Sequence, residues 1–340
     1  MGSAKLVSSF GLIICLLIGG FAQTPVDRDD VIRVDTDLTN LLFTASDKQN
    51  RFMTTLTQED LRLTEDGVQQ KIVTFQRETD RPLSLAFLID VSVSEERTLP
   101  FEKAAARSFI ETVIQSRKDQ AAIIPFTGSA FLEQGLTRDV LSIYRALERV
   151  EVALPVYLGS GREISGIATG PGMMATPAEG STAIWDAVAL TSSEVLGKSV
   201  GQRRRAIILL TDGQDTTSRL SRKEAISRAL EAETIIYAIG IGDSKADGIN
   251  RDALKAVAEA TGGRAFFPKR ETDLKTSFAE IEAELRSQYL VAYSSSNKKR
   301  DGAYRQMQIE VINPGLAKEK LKLRYRPGYF AKPIVDKASN

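Results

Sequence analysis

The first residues that could bind a ligand lie in the stretch Asp90-Val91-Ser92-Val93-Ser94, where three oxygen-bearing side chains occupy alternate positions. They follow the run 84–89, in which Ser84 is the only polar residue. Such a run is typical of a buried strand, although periodicity alone also allows a buried helix. Carboxylate and hydroxyl oxygens suit Mg²⁺, Mn²⁺ or Ca²⁺ rather than zinc or copper. The stretch therefore predicts part of a divalent-metal site, and the structural alternative is a loop that these side chains cap through backbone N–H groups.

Two later stretches repeat this pattern elsewhere in the chain. Residues 180–187 form a glycine-led loop that leads into a predicted helix, with Thr182 at the junction. A second largely apolar run, 205–210, ends in Thr211-Asp212-Gly213. Ligands of a parallel α/β sheet bind beyond the carboxyl ends of its strands. We therefore expect Thr182 and Asp212 to complete the site that Asp90 begins.

The three stretches together resemble the metal-ion-dependent adhesion site (MIDAS) of von Willebrand factor type A (VWA) domains. The DxSxS motif at 90–94, the loop threonine at 182 and the TDG motif at 211–213 occur in that family's order. The resemblance implies an α/β fold with a doubly wound, mostly parallel sheet. It also implies a divalent cation, Mg²⁺ or else Mn²⁺ or Ca²⁺, as the cofactor.

The resemblance assigns a role to each residue of this site. Ser92, Ser94 and Thr182 are expected to bind the cation through their hydroxyls. Asp90 and Asp212 are expected to act mostly through bound water or through contacts behind the ligands. Because hydroxyls neutralise a cation poorly, an open coordination position attracts a carboxylate from an Asp or Glu of a protein partner. The downstream Asp215 is interpreted as a cap of its own loop.

Composition excludes several classes of function. The 45 basic and 44 acidic residues are interspersed, without a basic patch for nucleic acid or an acidic tail. The sequence contains no histidine and one cysteine, Cys15. A Ser-His-Asp or Cys-His triad, a histidine-ligated metal, an intrachain disulfide and a zinc cluster are therefore excluded. We predict a non-enzymatic protein.

Two functions other than metal-dependent protein binding stay open at the level of sequence. A metal-dependent hydrolase would use Mg²⁺ and carboxylates to activate water, but the DxSxS motif lacks a second Asp. A structural component of the cell envelope would use the fold as a scaffold and carry a vestigial metal site.

The N-terminus predicts export. Residues 1–22 contain Lys5, a short apolar core at 10–21 and the small-residue cleavage site Gly20-Phe21-Ala22, which is typical of a secretory signal peptide. The alternative is a single-pass anchor, but the apolar core is shorter than the ~20 residues that span a bilayer. Cleavage leaves a polar, flexible leader at 23–30 and places the protein in the periplasm, the cell envelope or the medium, with no membrane span in the mature chain.

Short alternating runs indicate β structure on both sides of the site. They occur at 31–80, where Val31–Val34 is the first predicted strand, and again at 288–330, before a tail at 331–340. Neither flank provides a good core alone, but their roughly seven strands match a typical β-sandwich. We therefore predict a sandwich whose halves come from both ends of the chain. The stretch from Thr64-Glu65-Asp66-Gly67 to Phe75, which includes Gln70, resembles the β leader of bacterial VWFA-related acidobacterial domain proteins.

The region 81–287 is the predicted VWA domain. Its alternating strands and helices imply a parallel sheet covered on both faces. Residues 151–179 lack a pattern and are expected to form a long surface loop, either a binding loop or a mobile insertion. Helical spacing predicts two inward stripes, one in each of the first two helices. They are Phe101, Ala104, Ala105, Phe109 and Val113 in the first helix, and Leu141, Tyr144 and Leu147 in the second.

Overall fold

The computed structural model of the protein describes residues 38–78, 81–115, 117–153, 162–163, 181–201, 203–242 and 248–332. The predicted signal peptide, the leader, the strand at 31–34, most of the loop at 151–179, Gly180 and nearly all of the tail at 331–340 lie outside the described residues. Within the described ranges, no helix combines the length and apolar character needed to cross a bilayer.

Sixteen strands form in the described residues: β1 (Leu38–Ser46), β2 (Leu61–Glu65), β3 (Val68–Gln69), β4 (Ile72–Arg77), β5 (Leu83–Asp90), β6 (Gln120–Phe126), β7 (Phe131–Leu132), β8 (Gln134–Thr137), β9 (Arg162–Glu163), β10 (Arg204–Thr211), β11 (Thr234–Gly240), β12 (Ala265–Phe266), β13 (Tyr289–Ser294), β14 (Tyr304–Val311), β15 (Lys322–Tyr325) and β16 (Gly328–Phe330). The same residues form seven α-helices: α1 (Leu99–Val113), α2 (Val140–Arg149), α3 (Ile184–Leu190), α4 (Arg222–Glu231), α5 (Arg251–Ala260), α6 (Glu271–Arg286) and α7 (Pro314–Ala317). Helix α3 continues as a π-helix over Thr191–Leu196, and 3-10 turns lie at Gln58–Asp60 and Val93–Glu95.

The central sheet is mostly parallel and confirms the predicted fold class. Its strand order is β12-β11-β10-β5-β6-β8, and only β8 runs antiparallel to its neighbour. Alternate residues of β5 face opposite layers, as the two-residue period of a strand requires. Phe87 and Ile89 join a core shared with α1, α2 and α6, whereas Ala86 and Leu88 join a core shared with α3, α4 and α5.

Helix α1 presents a face that differs in part from the predicted one. Ala105, Phe109 and Val113 are buried as expected. Contrary to the prediction, Ala104 is exposed and Phe101 is 50% exposed, whereas the acidic Glu102 is 1% exposed. The buried face is therefore rotated by about one residue toward Glu102. Spacing alone favoured Phe101 because an apolar side chain was assumed at every inward position, and the helix instead buries a carboxyl.

Helix α2 also corrects a predicted stripe. Leu147 is buried, Tyr144 is partly buried, and Leu141 is 62% exposed. The inward residues include Ile143 and Ala146, which lie one turn apart on the same face as Leu147. The prediction that Leu141 faces inward was wrong. Leu141 precedes Ile143 by two positions, which is more than half a helical turn, so the two side chains point to opposite sides of the helix.

The flanking strands form two four-stranded antiparallel sheets, as the sandwich prediction requires. Their orders are β15-β1-β13-β4 and β16-β14-β2-β3, so each sheet combines strands from both ends of the chain, and these strands alternate in the first sheet. Six of the seven predicted strands lie in the described residues, and β3 and β16 bring the number of strands in these two sheets to eight. Residues of both sheets share one hydrophobic core that includes Phe43, Leu63, Tyr293 and Ile309. The boundaries at 80/81 and 287/288 stay predictions.

Candidate metal site

Asp90 lies at the carboxyl end of β5, beside the end of β10. The two strands pair in parallel up to Ile89 and Leu210, so their last residues are neighbours. The Thr211 hydroxyl donates to Asp90 Oδ2 at 2.6 Å, and the Ser92 N–H donates to Asp90 Oδ1 at 3.0 Å. Asp90 is fully buried. Both of its oxygens are therefore held in place by the protein.

The two serines of the DxSxS motif lie close together at the surface end of this strand. Ser92 Oγ and Ser94 Oγ are 3.0 Å apart. Adjacent ligands of an octahedral cation with metal–oxygen distances of about 2.1 Å are separated by about 3 Å. Ser92 is buried and Ser94 is exposed, so the pair extends from the interior to solvent.

Asp212 follows β10 in a loop that depends on glycine. Its Oδ1 accepts a hydrogen bond from the Gln214 N–H at 2.8 Å. Gly213 has a φ of +81°, and a Cβ on it would lie 2.9 Å from Leu254 Cγ and 3.1 Å from the Asn250 carbonyl oxygen. The TDG motif therefore needs glycine for its backbone conformation and for the close approach of α5.

Thr182 is attached through its backbone to the loop that follows Asp212. Its N–H donates to Thr216 Oγ1 at 2.8 Å, and its carbonyl oxygen accepts from the Thr216 and Thr217 N–H groups at 2.9 and 3.1 Å. These bonds fix Thr182 relative to the TDG loop, although about thirty residues separate them in sequence.

Asp215 in the loop after the TDG motif caps the start of α3, and Asp186 in α3 caps that loop in return. Asp215 Oδ1 accepts from the Ile184 N–H at 2.8 Å, which satisfies a backbone donor at the start of α3. In the opposite direction, Asp186 Oδ1 accepts from the Leu220 N–H at 2.8 Å. Asp215 thus caps α3 as well as its own loop, where it accepts from the Ser218 hydroxyl at 2.5 Å.

Three carboxylates converge at this end of the sheet. One oxygen each of Asp90, Glu95 and Asp212 lies within 4.8 Å of the other two. The sequence analysis did not identify Glu95 as a site residue. The signal that could have identified it is an acidic side chain directly after Ser94. It is fully buried in the 3-10 turn Val93–Glu95.

Burial places these carboxyls in an unfavourable electrostatic environment. Burial raises the pKa of Asp90 to about 6, and the charge of Asp212 adds to the increase. Burial and then the charge of Glu102 raise the pKa of Glu95, and burial also raises the pKa of Glu102. Among the described residues neither Glu95 nor Glu102 has an ion-pair partner. A hard divalent cation would fit this oxygen-only set and offset its negative charge.

A family comparison covers the second half of this site. The model of the von Willebrand factor type A domain matches residues 173–280, which include Thr182 and the TDG motif. The DxSxS motif lies before the matched span, on the strand that pairs with β10. The chain contains a VWA domain.

Solved structures similar to this chain come from several organisms. BatB of Bacteroides thetaiotaomicron is 18% identical, and the match covers 60% of this chain and 100% of BatB with a TM-score of 0.43. Proximal thread matrix protein 1 of the mussel byssus, in a structure described with a zinc-occupied MIDAS motif, is 18% identical over 66% of this chain and 50% of its own, with a TM-score of 0.49. A von Willebrand factor type A protein from Catenulispora acidiphila is 13% identical over 89% of this chain and 75% of its own, with a TM-score of 0.47. A search of curated proteins finds no match.

Proposed function

We propose that this chain is an exported, non-enzymatic protein that binds a protein partner through a divalent cation. Ser92, Ser94 and Thr182 would hold the cation through hydroxyls, with Asp90 and Asp212 beside them. The observation that carries the proposal is the convergence of separate segments: one oxygen of Asp90 lies within 4.8 Å of one of Asp212, and the two serine hydroxyls are 3.0 Å apart.

The chemistry of the ligands supports a site open to a partner. Mg²⁺, Mn²⁺ and Ca²⁺ all accept hydroxyl and carboxylate oxygens. When bound, such a cation supplies an electrophilic position for an oxygen ligand from outside the chain. The exposure of Ser94 supports access to that position from solvent. An Asp or Glu carboxylate of the partner is the group that this electrophile would attract.

Composition supports a binding role over catalysis. The chain contains no histidine, and its one cysteine is Cys15, which falls in the predicted signal peptide. The site therefore lacks the imidazole and thiol groups that usually serve as base or nucleophile in hydrolases. The signal-like segment 1–22 supports a location in the periplasm, the cell envelope or the medium.

A scaffold with a vestigial metal site is the second candidate. The hydrogen bonds that Asp90 accepts from Thr211 and Ser92 favour it, because they satisfy the carboxylate without a metal. Partner binding that survives the substitution Asp90→Ala would support this candidate.

Thermal unfolding in EDTA, and then with Mg²⁺, Mn²⁺ or Ca²⁺, tests the metal site directly. A cation that binds only the folded protein stabilises it by about 2.7 kcal/mol at 100 times its Kd. We expect at least one of the three cations to raise the melting temperature, and Ser92→Ala or Thr182→Ala to abolish that shift with the fold retained.

The matched control for Ser92→Ala is Ser277→Ala. Ser277 is buried to a similar degree, and its hydroxyl donates to the Asp273 carbonyl oxygen in α6 at 2.9 Å. This variant should keep the full cation-dependent shift. A shift that persists in Ser92→Ala, or that is absent from the unmodified protein for all three cations, would contradict the proposed metal site.

A further inference from the structure

Glu95 lies beside the two aspartates of the proposed metal site. One of its carboxylate oxygens is within 4.8 Å of an oxygen of Asp90 and of one of Asp212. Oxygens that share a cation at metal–oxygen distances of 2.1–2.4 Å are at most about 4.8 Å apart. The separation therefore allows a single cation to contact all three residues.

Hydrogen bonding leaves one oxygen of Glu95 without a partner. Its Oε2 accepts from the Thr98 hydroxyl at 2.6 Å, whereas its Oε1 is buried and has no hydrogen-bond partner in the described structure. Both oxygens of Asp90, in contrast, accept hydrogen bonds. A buried polar atom without a partner costs free energy and is rare in folded proteins. A cation in contact with Oε1 would satisfy this atom.

The surroundings of Glu95 also favour a positive charge. Glu102, on α1, is 1% exposed, and neither of its oxygens has a hydrogen-bond partner of good geometry in the described residues. The groups that act on Glu95 electrostatically are the carboxyls of Glu102, Asp90 and Asp212. A buried carboxylate without a countercharge is strongly unfavourable, so the cluster either holds protons or takes up a cation.

We propose that Glu95 is a direct ligand of the cation and binds it from the buried side of the site. The proposal rests on the metal site proposed above and adds an internal carboxylate to its hydroxyl ligands. This carboxylate neutralises part of the charge of the cation, so the cation stays bound in the absence of a partner. Ser94 stays on the solvent side, where a partner carboxylate is a supplementary ligand.

Isothermal titration of the metal-free protein with Mn²⁺ measures the contribution of Glu95. We expect Glu95→Gln to weaken Mn²⁺ binding at least tenfold. Glu96→Gln is the matched control, because Glu96 is the next residue and is exposed. It should change the affinity less than twofold. The melting temperature of each variant in EDTA verifies that the fold is retained.

Counting the exchangeable water ligands of bound Mn²⁺ by electron spin-echo spectroscopy distinguishes a ligand from a nearby charge. Glu95→Ala should add one water, because a water molecule fills the vacated position, whereas Glu102→Gln should leave the number unchanged. Two results would overturn this inference and leave the proposed metal site standing. The first is an unchanged number of water ligands in Glu95→Ala, and the second is Mn²⁺ binding by Glu95→Gln that is as tight as that of the unmodified protein. Failure of the unmodified protein to bind any of Mn²⁺, Mg²⁺ and Ca²⁺ would overturn both.

Discussion

At the scale of single residues, the site depends on side chains that follow strands and on one glycine. Asp90 is held by two hydrogen bonds from neighbouring segments, so its orientation does not depend on solvent. Gly213 allows the chain to turn directly after Asp212 with a φ of +81°. The orientation of Asp212 therefore depends on the backbone conformation of the glycine that follows it.

Replacing this glycine should test that dependence. Gly213→Ala introduces a positive-φ alanine and a contact of 2.9 Å with Leu254. Gly302→Ala is the matched control, since Gly302 has a φ of +71° and open space around its Cβ position. We expect Gly213→Ala to lower the free energy of unfolding by about 1–3 kcal/mol more than the control does. Urea unfolding measures the difference, and equal losses would show that α5 moves aside without cost.

At the scale of elements, helix α1 carries the largest departure from the expected pattern. Its inward face contains Glu102 beside the candidate metal site, together with Ala105, Ala106, Phe109 and Ile110. An apolar helix face that includes one buried acid is destabilising unless that acid is protonated or neutralised by a cation. The position of α1 against β5 thus links the hydrophobic core to the electrostatics of the site.

The stability of the metal-free protein should depend on pH because of this helix. Burial raises the pKa of Glu102 above that in the unfolded chain, so the folded state retains a proton that the unfolded chain has already released. This contribution is present below the ordinary pKa of glutamate and is lost as pH rises through the raised pKa. In EDTA, the free energy of unfolding should therefore decrease from about pH 5 to about pH 9, and Glu102→Gln should reduce the decrease.

Glu111→Gln is the control for this pH dependence. Glu111 lies on the same helix, is exposed and pairs with Arg107 across one turn at 3.5 Å. Its removal should leave the slope of stability against pH unchanged. A Glu102→Gln variant with the same slope as the unmodified protein would mean that Glu102 is not the group that retains the proton.

At the scale of the whole molecule, the parallel sheet and the sandwich are joined by a buried ionic contact. Arg324 on β15 donates to Glu284 Oε2 on α6 at 2.9 Å, and Glu284 Oε1 accepts from the Tyr237 hydroxyl on β11 at 3.4 Å. Glu284 is 1% exposed. The last strands of the chain therefore contribute to the environment of a helix that packs on the central sheet.

Breaking this contact should be costly. Arg324→Met leaves the buried carboxylate of Glu284 without its partner, and such a loss typically costs 3–5 kcal/mol. Arg62→Met is the control, because Arg62 and Glu310 form an ion pair in which both side chains are largely exposed, a kind worth about 0–1 kcal/mol. Chemical unfolding of both variants gives the comparison. Adding Glu284→Gln to Arg324→Met should restore part of the lost stability, and no recovery would argue against an unpaired charge as the cause.

The sequence by itself determined the fold class and the segments of the candidate site. Apolar runs that end in oxygen-bearing residues mark where β5 and β10 stop, and the alternation of strands and helices places those ends at the same edge of a parallel sheet. The Asp66-Gly67 turn is equally local, because an Asp-Gly pair favours the positive φ that a hairpin needs and both residues adopt it. These features are local, so residue type and spacing were sufficient to predict them.

Only the tertiary structure decided which carboxyls are buried beside the site. Glu95 and Glu102 have the sequence pattern of solvated residues, and their burial follows from how the 3-10 turn and α1 pack against the sheet. The tertiary structure also decided the partners of β1, which pairs with β13 and β15 from the far end of the chain. Contacts between residues distant in sequence fix these features, and no local period encodes such contacts.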